Sequence, residues 1–235
     1  MEHITTPSAP ARGVPLTTKP RISVNKLAEY MEANALRRRQ IVLQAKDPEP
    51  FITHRYSDAR RALAAYIIGG YDENTLATAI AAIQAKPEGS DWQKDDRKNS
   101  ITCLEIAQDA DFPDLTGYDL SSLDVDRAIV ELSGVDVSVL PDVLLRHRET
   151  GRVGGIKVHI AKTTGLSADG LKNVALVLRR YLIDRGDSEV MVDPDACFGI
   201  DVFSSSYEAA PKSYKRLMSR LEAACEEIRL RWEAN

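Results

Sequence analysis

Apolar residues recur at spacings of three and four over most of the first hundred positions, then at spacing two through the middle of the chain. Ser23 stands as an N-cap ahead of Val24, Leu27, Ala28 and Met31, the inward stripe of a short helix. A second helix is predicted over 35–45, with Leu36, Ile41 and Val42 behind Arg37-Arg38-Arg39. Asp47-Pro48-Glu49-Pro50 stops it, because proline has no N–H to donate and does not fit a continuing helix. A third helix takes Ser57 as its cap, points Ala59, Leu63, Tyr66 and Ile67 inward, and ends at Gly69-Gly70. A fourth starts at Glu73 and spaces Leu76, Ala79, Ile80 and Ile83 along one face; Ser90 caps a fifth that reaches about Gln108.

Beyond Asp109 the period changes. The aspartate-rich stretch 109–126, with Pro113 and Gly117, reads as a loop. Residues 128–132 form a short strand candidate. A longer one follows, with Val135, Val137, Val139, Val143 and Leu145 on one face and Asp136, Ser138, Leu140, Asp142 and Leu144 on the other. After a turn at Arg148-Glu149-Thr150-Gly151, 153–162 alternates again, with Ile156, Val158 and Ile160 opposite Lys157 and His159. A helix is predicted over 167–184, strands over 190–192 and 197–203, and a closing amphipathic helix from Lys212 to Trp232. The fold class expected is α+β. It comprises a flexible, proline-rich leader (1–21), a helical region (22–90), and an αβββαβ core with a C-terminal helix (91–235).

Composition narrows the class. With 43% hydrophobic and 28% charged residues, the chain is an ordinary globular sequence rather than a disordered or low-complexity one. Three cysteines without a CxxC pair argue against a disulfide framework or structural zinc, and fit a reducing compartment. No apolar run approaches the ~18 residues of a membrane span, and the N-terminus lacks signal-peptide character. A cytoplasmic protein with no membrane partner is expected.

The chemistry concentrates in one hairpin. If it closes over Glu149-Thr150, Asp142 faces Lys157; if it closes one residue later, Asp142 faces His159 with Lys157 on the diagonal. Either register leaves the three on one sheet face, within about 5–8 Å of one another. A carboxylate holds a hard cation by oxygen, the cation activates water at a phosphodiester, and a lysine offsets developing charge. The same two residues also fit a plain surface ion pair, worth ~0–1 kcal/mol.

In Pro141-Asp142 and Lys157, on successive strands of an αβββαβ order, the sequence resembles the PD-(D/E)xK nuclease superfamily. The resemblance covers about half the chain, and its motif is short. It implies a restriction-endonuclease-like core, Mg²⁺ or Mn²⁺ as cofactor, Asp142 as metal ligand and Lys157 as transition-state partner. The acid of the acid-x-Lys motif is absent, its position being Gly155. Glu131, Asp136 or Glu105 are then the candidates for a migrated second ligand.

A second signal is basic. Arg21 to Arg61 holds nine basic and five acidic residues, net +4 in a chain of net −4. Arg37, Arg38, Arg39, Arg60 and Arg61 are candidates for following a phosphate backbone, against the alternative of a solvated face or a surface for an acidic protein partner. No phosphate-binding loop, dinucleotide fingerprint, HExxH or GxSxG occurs. Two functions are expected: a metal-dependent nucleic-acid phosphodiesterase of a prokaryotic nucleic-acid-processing or defence system, or an inactive nuclease-fold scaffold or nucleic-acid-binding subunit of a multi-protein complex.

Overall fold

The computed structural model describes residues 19–49, 55–87, 89–123, 125, 128–186 and 188–234. Most of the expected leader, and Pro50 of the helix stop, lie outside the described residues. Lys19 already pairs with Glu131 and Asp136, and β1 (Arg21–Ser23) follows.

Local chemistry sets the helix starts. The Ser23 hydroxyl accepts from the Lys26 N–H at the head of α1 (Val24–Glu32), and Asn34 caps α2 (Ala35–Lys46) in the same way. The third helix, α3 (Ser57–Ile68), departs from expectation: Ser57 lies inside it. The residue before it, Tyr56, is left-handed (φ 61°) and gives no side-chain cap; its N–H donates to Asp96 at 2.8 Å. Asp72 caps α4 (Glu73–Gln84). A reciprocal Ser90–Gln93 capping box starts α5 (Asp91–Gln108).

The strands differ more from the pattern. The stretch read as a loop contains β2 (Tyr118–Ser121). The run read as one long strand is two strands of different sheets, β4 (Val135–Ser138) and β5 (Val143–His147). Between them, Pro141 has no N–H for a ladder, and the chain crosses over. The 128–132 segment becomes β3 (Ile129–Leu132), joined to β4 by a two-residue turn in which Ser133 (φ 47°) and Gly134 (φ 81°) are both left-handed. Next come β6 (Val153–His159), α6 (Ala168–Asp184) capped by Ser167, and a single strand β7 (Val192–Asp201) where two pieces were expected. An unforeseen β8 (Ser206–Ala209) precedes α7, which starts at Lys215 and ends at Ala234.

β1, β4 and β3 form a small sheet in that order, and the larger sheet runs β2-β5-β6-β7-β8. Its neighbours are antiparallel except β6 and β7, which are parallel and joined through α6. The expected αβββαβ order is therefore present as α5-β2-β5-β6-α6-β7. Its first strand is β2, and the β3–β4 hairpin is an insertion between the first and second strands.

Apolar residues cover both faces of the larger sheet. Val143, Leu145, Ile156, Val158 and Ile200 pack with Leu63, Ile67, Leu76 and Leu104 of α3, α4 and α5. On the other side, Leu171, Val174 and Leu178 of α6 join Leu27, Val137, Leu221 and Trp232, uniting α1, the small sheet and α7. Each fully buried Leu or Ile contributes about 1.5–3 kcal/mol relative to exposure. Buried on both faces, β6 carries the residues of interest.

Candidate functional site: an ion cluster at the end of β6

β5 pairs with β6 from Arg146↔Val153 to Val143↔Ile156, and β6 then runs on past the end of β5 with only β7 beside it. This is the register in which Asp142 faces Lys157. The Asp142 N–H donates to the Ile156 carbonyl at 2.8 Å, and its carboxylate Oδ2 accepts from the Val158 N–H at 2.7 Å. Val158 has no backbone partner on this side, and buried backbone groups must be paired. Side chains complete the ladder: the Val158 carbonyl accepts from Arg60 Nη1 at 2.9 Å and from Asn25 Nδ2 at 3.0 Å.

Asp142 is enclosed by cations. Arg60 Nη1 lies 3.0 Å from Oδ1 and 3.1 Å from Oδ2, and Lys157 Nζ lies 3.0 Å from Oδ2. Lys157 also donates to the Leu140 carbonyl at 2.7 Å. The Asp142 and Lys157 side chains are only 6% and 11% exposed, against 34% for Arg60. This is a buried triad, not a surface pair. Burial pushes the Asp142 carboxyl up, but Arg60, Lys157 and the Val158 N–H outweigh it and hold it below the usual carboxylate range. Burial pulls the Lys157 ammonium down, and Asp142 opposes that shift only in part.

Gly155, at the acid position, lies on the same face as Lys157. A Cβ there would sit 3.1 Å from the Val143 carbonyl oxygen and 3.5 Å from the Leu178 side chain of α6. The helix packs where an acid would stand. Farther along the face, His159 is buried and turns away from Asp142, its Nε2 donating to the Thr164 carbonyl at 2.8 Å. Its neighbour across the parallel ladder is Asp201, fully buried and holding the Leu166, Phe203 and Ser204 N–H groups.

The expected metal set is not brought together. Glu131 and Asp136 lie opposite each other in the small sheet, where both pair with Lys19. Glu105 is exposed on α5, along a shallow groove with Lys94 and Lys98. Among the described residues, no three His, Cys, Asp or Glu side chains form a group able to hold a metal ion. The donor chemistry carries the argument: both oxygens of Asp142 already face nitrogen donors, two of them cationic. These residues do not fit Mg²⁺ or Mn²⁺.

The basic run also separates. Arg37 pairs with buried Glu29. Arg38 donates to the Tyr30 and Met31 carbonyls, pairs with Glu227 of α7 at 3.2 Å, and lies over the Tyr30 ring. Arg39 is exposed, and Arg61 is an exposed neighbour of Asp58 at 3.7 Å. Arg60, proposed for nucleic acid from sequence, sits instead in the ion cluster. Its spacing to Tyr56, Leu63 and Ile67 on one helical face was the available signal. Nothing in the pattern marked Asn25.

No family model and no curated protein matches the chain.

Proposed function

We propose that this chain is a nuclease-fold module that binds rather than cleaves, a scaffold subunit of a prokaryotic nucleic-acid-processing or defence assembly. The observation that carries the reading is Arg60: its guanidinium occupies the Asp142 carboxylate from which a catalytic cation would be held. Gly155 and the close packing of Leu178 favour the same conclusion. The competing reading is an Mg²⁺- or Mn²⁺-dependent phosphodiesterase. It draws on Pro141-Asp142 at the start of the second core strand and Lys157 on the third.

The deciding experiment incubates the purified protein with Mg²⁺ or Mn²⁺ and single- and double-stranded DNA and RNA, and records its melting temperature with and without metal. No cleavage and no metal-dependent rise in melting temperature are expected. Cleavage by the wild type that disappears in Asp142→Asn establishes the enzyme and overturns the scaffold.

A further inference from the structure

Arg179 of α6 lies outside the ion cluster and is only 6% exposed. Its Nη2 contacts Glu189 Oε1 at 3.3 Å, and its guanidinium lies over the Tyr214 ring at 4.5 Å. Nε and Nη1 are buried without a hydrogen-bond partner among the described residues. A cationic group with unmet donors in a closed setting is costly, and native proteins seldom leave one so. Arg179 also lines a cleft of about 80 Å³ whose apolar side is Leu176, Ile183 and Met218. The turn that brings Glu189 to the cleft also presents Val190, 76% exposed, and Met191, 37% exposed.

We propose that this cleft receives the acidic side chain of a partner protein, Asp or Glu, from a segment that also carries an aliphatic residue. The inference does not rest on the scaffold reading. A buried arginine short of partners selects an anion; because Nε and Nη1 are closed to solvent, the ligand carboxylate takes the place of Glu189 on Nη2 through a charge-assisted hydrogen bond. At about 80 Å³ the cleft holds several water-sized groups, room for a carboxylate on a short methylene stem. Leu176, Ile183 and Met218 suit the stem, and Val190 and Met191 offer the adjacent aliphatic contact. A buried arginine with a half-buried tyrosine beside methionine is the composition of an interface anchor. Glu189 is the internal competitor. Its side chain is 58% exposed, which leaves it room to turn out to solvent, and the ligand carboxylate must displace it from Arg179 and from the Tyr214 hydroxyl at 2.9 Å.

The test titrates blocked N-acetyl-Glu-Leu-amide into protein carrying ¹³C-methyl methionine, reading Met218 and Met191 by NMR with Met31 as the remote reference. A saturable shift of Met218 and Met191 is expected, and binding at least about tenfold weaker for N-acetyl-Gln-Leu-amide, which lacks the charge. Glu189→Gln removes the competing carboxylate while leaving Arg179 in place, so affinity should rise about threefold or more. Arg179→Gln should abolish the shift, and Glu189→Gln keeps the test decisive if that variant does not fold. No saturable shift in either the wild type or Glu189→Gln overturns the proposal and leaves Arg179 as a clamp between α6 and Tyr214. Equal binding of the Glu and Gln peptides, or tighter binding of N-acetyl-leucine through its terminal carboxylate, also overturns it.

Discussion

Arg60 and Asp142, from different regions of the chain, are joined through one guanidinium nitrogen that reaches both carboxylate oxygens, at 3.0 and 3.1 Å. The same nitrogen holds the Val158 carbonyl, so α3 is tied to the ends of β5 and β6. Arg60→Met leaves Asp142 buried with Lys157 as its one remaining cation. Breaking an enclosed pair costs about 3–5 kcal/mol, and the one-third exposure of Arg60 brings the expected loss down to about 2 kcal/mol. Urea unfolding measures it; a change within about 0.5 kcal/mol, the range of ordinary surface substitutions, would mean that the triad adds nothing to the fold.

Asp142→Asn separates a structural carboxylate from a metal ligand. In the triad, the substitution leaves two cations facing each other, Lys157 buried and Arg60 one-third exposed, and stability without metal should fall by about 2 kcal/mol. Adding Lys157→Met removes that repulsion, so the double variant should lose less than the two single losses together. A carboxylate held in reserve for a cation behaves oppositely, and its neutralisation would leave metal-free stability unchanged or raised. Denaturant curves for the four proteins decide between the two.

Much of this arrangement was legible in the sequence. The alternation of Val143 and Leu145 against Ile156 and Val158 fixed the core face, and so placed Asp142 and Lys157 together on the other. The αβββαβ order was legible too, although its first strand was misassigned: β2 alternates Tyr118 and Leu120 with Asp119 and Ser121, but two apolar positions are too few to stand out from its acidic surroundings. The valine run from Val135 to Leu145 keeps its period while changing sheets, because Val139 belongs to one core and Val143 to the other. Periodicity reports burial, not which partner does the burying. Ion pairs between distant elements, such as Arg60 with Asp142 or Arg38 with Glu227, leave no local trace beyond a charge on an inward helical face.

The arginine run makes that distinction measurable. Arg37 supports Glu29, whose side chain is only 5% exposed; burial raises the Glu29 carboxyl, while Lys26 and Arg37 bring it below its usual range. Arg37→Ala should therefore cost about 1–2 kcal/mol, whereas Arg39→Ala at its exposed position should stay within about 0.5 kcal/mol. If the run followed a phosphate backbone, all three arginines would contribute alike to DNA or RNA affinity and to its salt dependence. Filter binding of the single alanine variants at two salt concentrations checks this.

Gly155 should tolerate no acidic side chain while Leu178 is present. A Cβ there is pressed by the Val143 carbonyl oxygen at 3.1 Å and already touches Leu178 at 3.5 Å, so the longer side chain of Gly155→Glu runs into Leu178 and should lose at least about 1–3 kcal/mol by overpacking. Leu178→Ala alone should cost about 2–5 kcal/mol through the cavity it leaves. Because each change relieves the other, the double variant should be more stable than the two losses predict. Additive losses would show that Leu178 does not constrain the Gly155 position.

Acid should weaken the fold through His159. Its imidazole is buried, and burial lowers its pKa below the ordinary 6.5, with Lys26 acting in the same direction. The Thr164 carbonyl, Asp201 of β7 and Glu29 of α1 oppose that shift without reversing it. The unfolded chain thus binds the proton more readily than the folded one. The stabilisation is complete above the unfolded pKa of about 6.5, and it is lost as pH falls from there through the lower folded value. Asp142 and Glu29 are held below the usual carboxylate range, so they titrate beneath this window and leave it to the histidine. His159→Gln has no imidazole to protonate and can still offer an N–H to Thr164. The wild-type melting temperature should fall between pH 7 and about pH 5, and the variant's should fall less. Parallel profiles for the two proteins would place the acid sensitivity in another group.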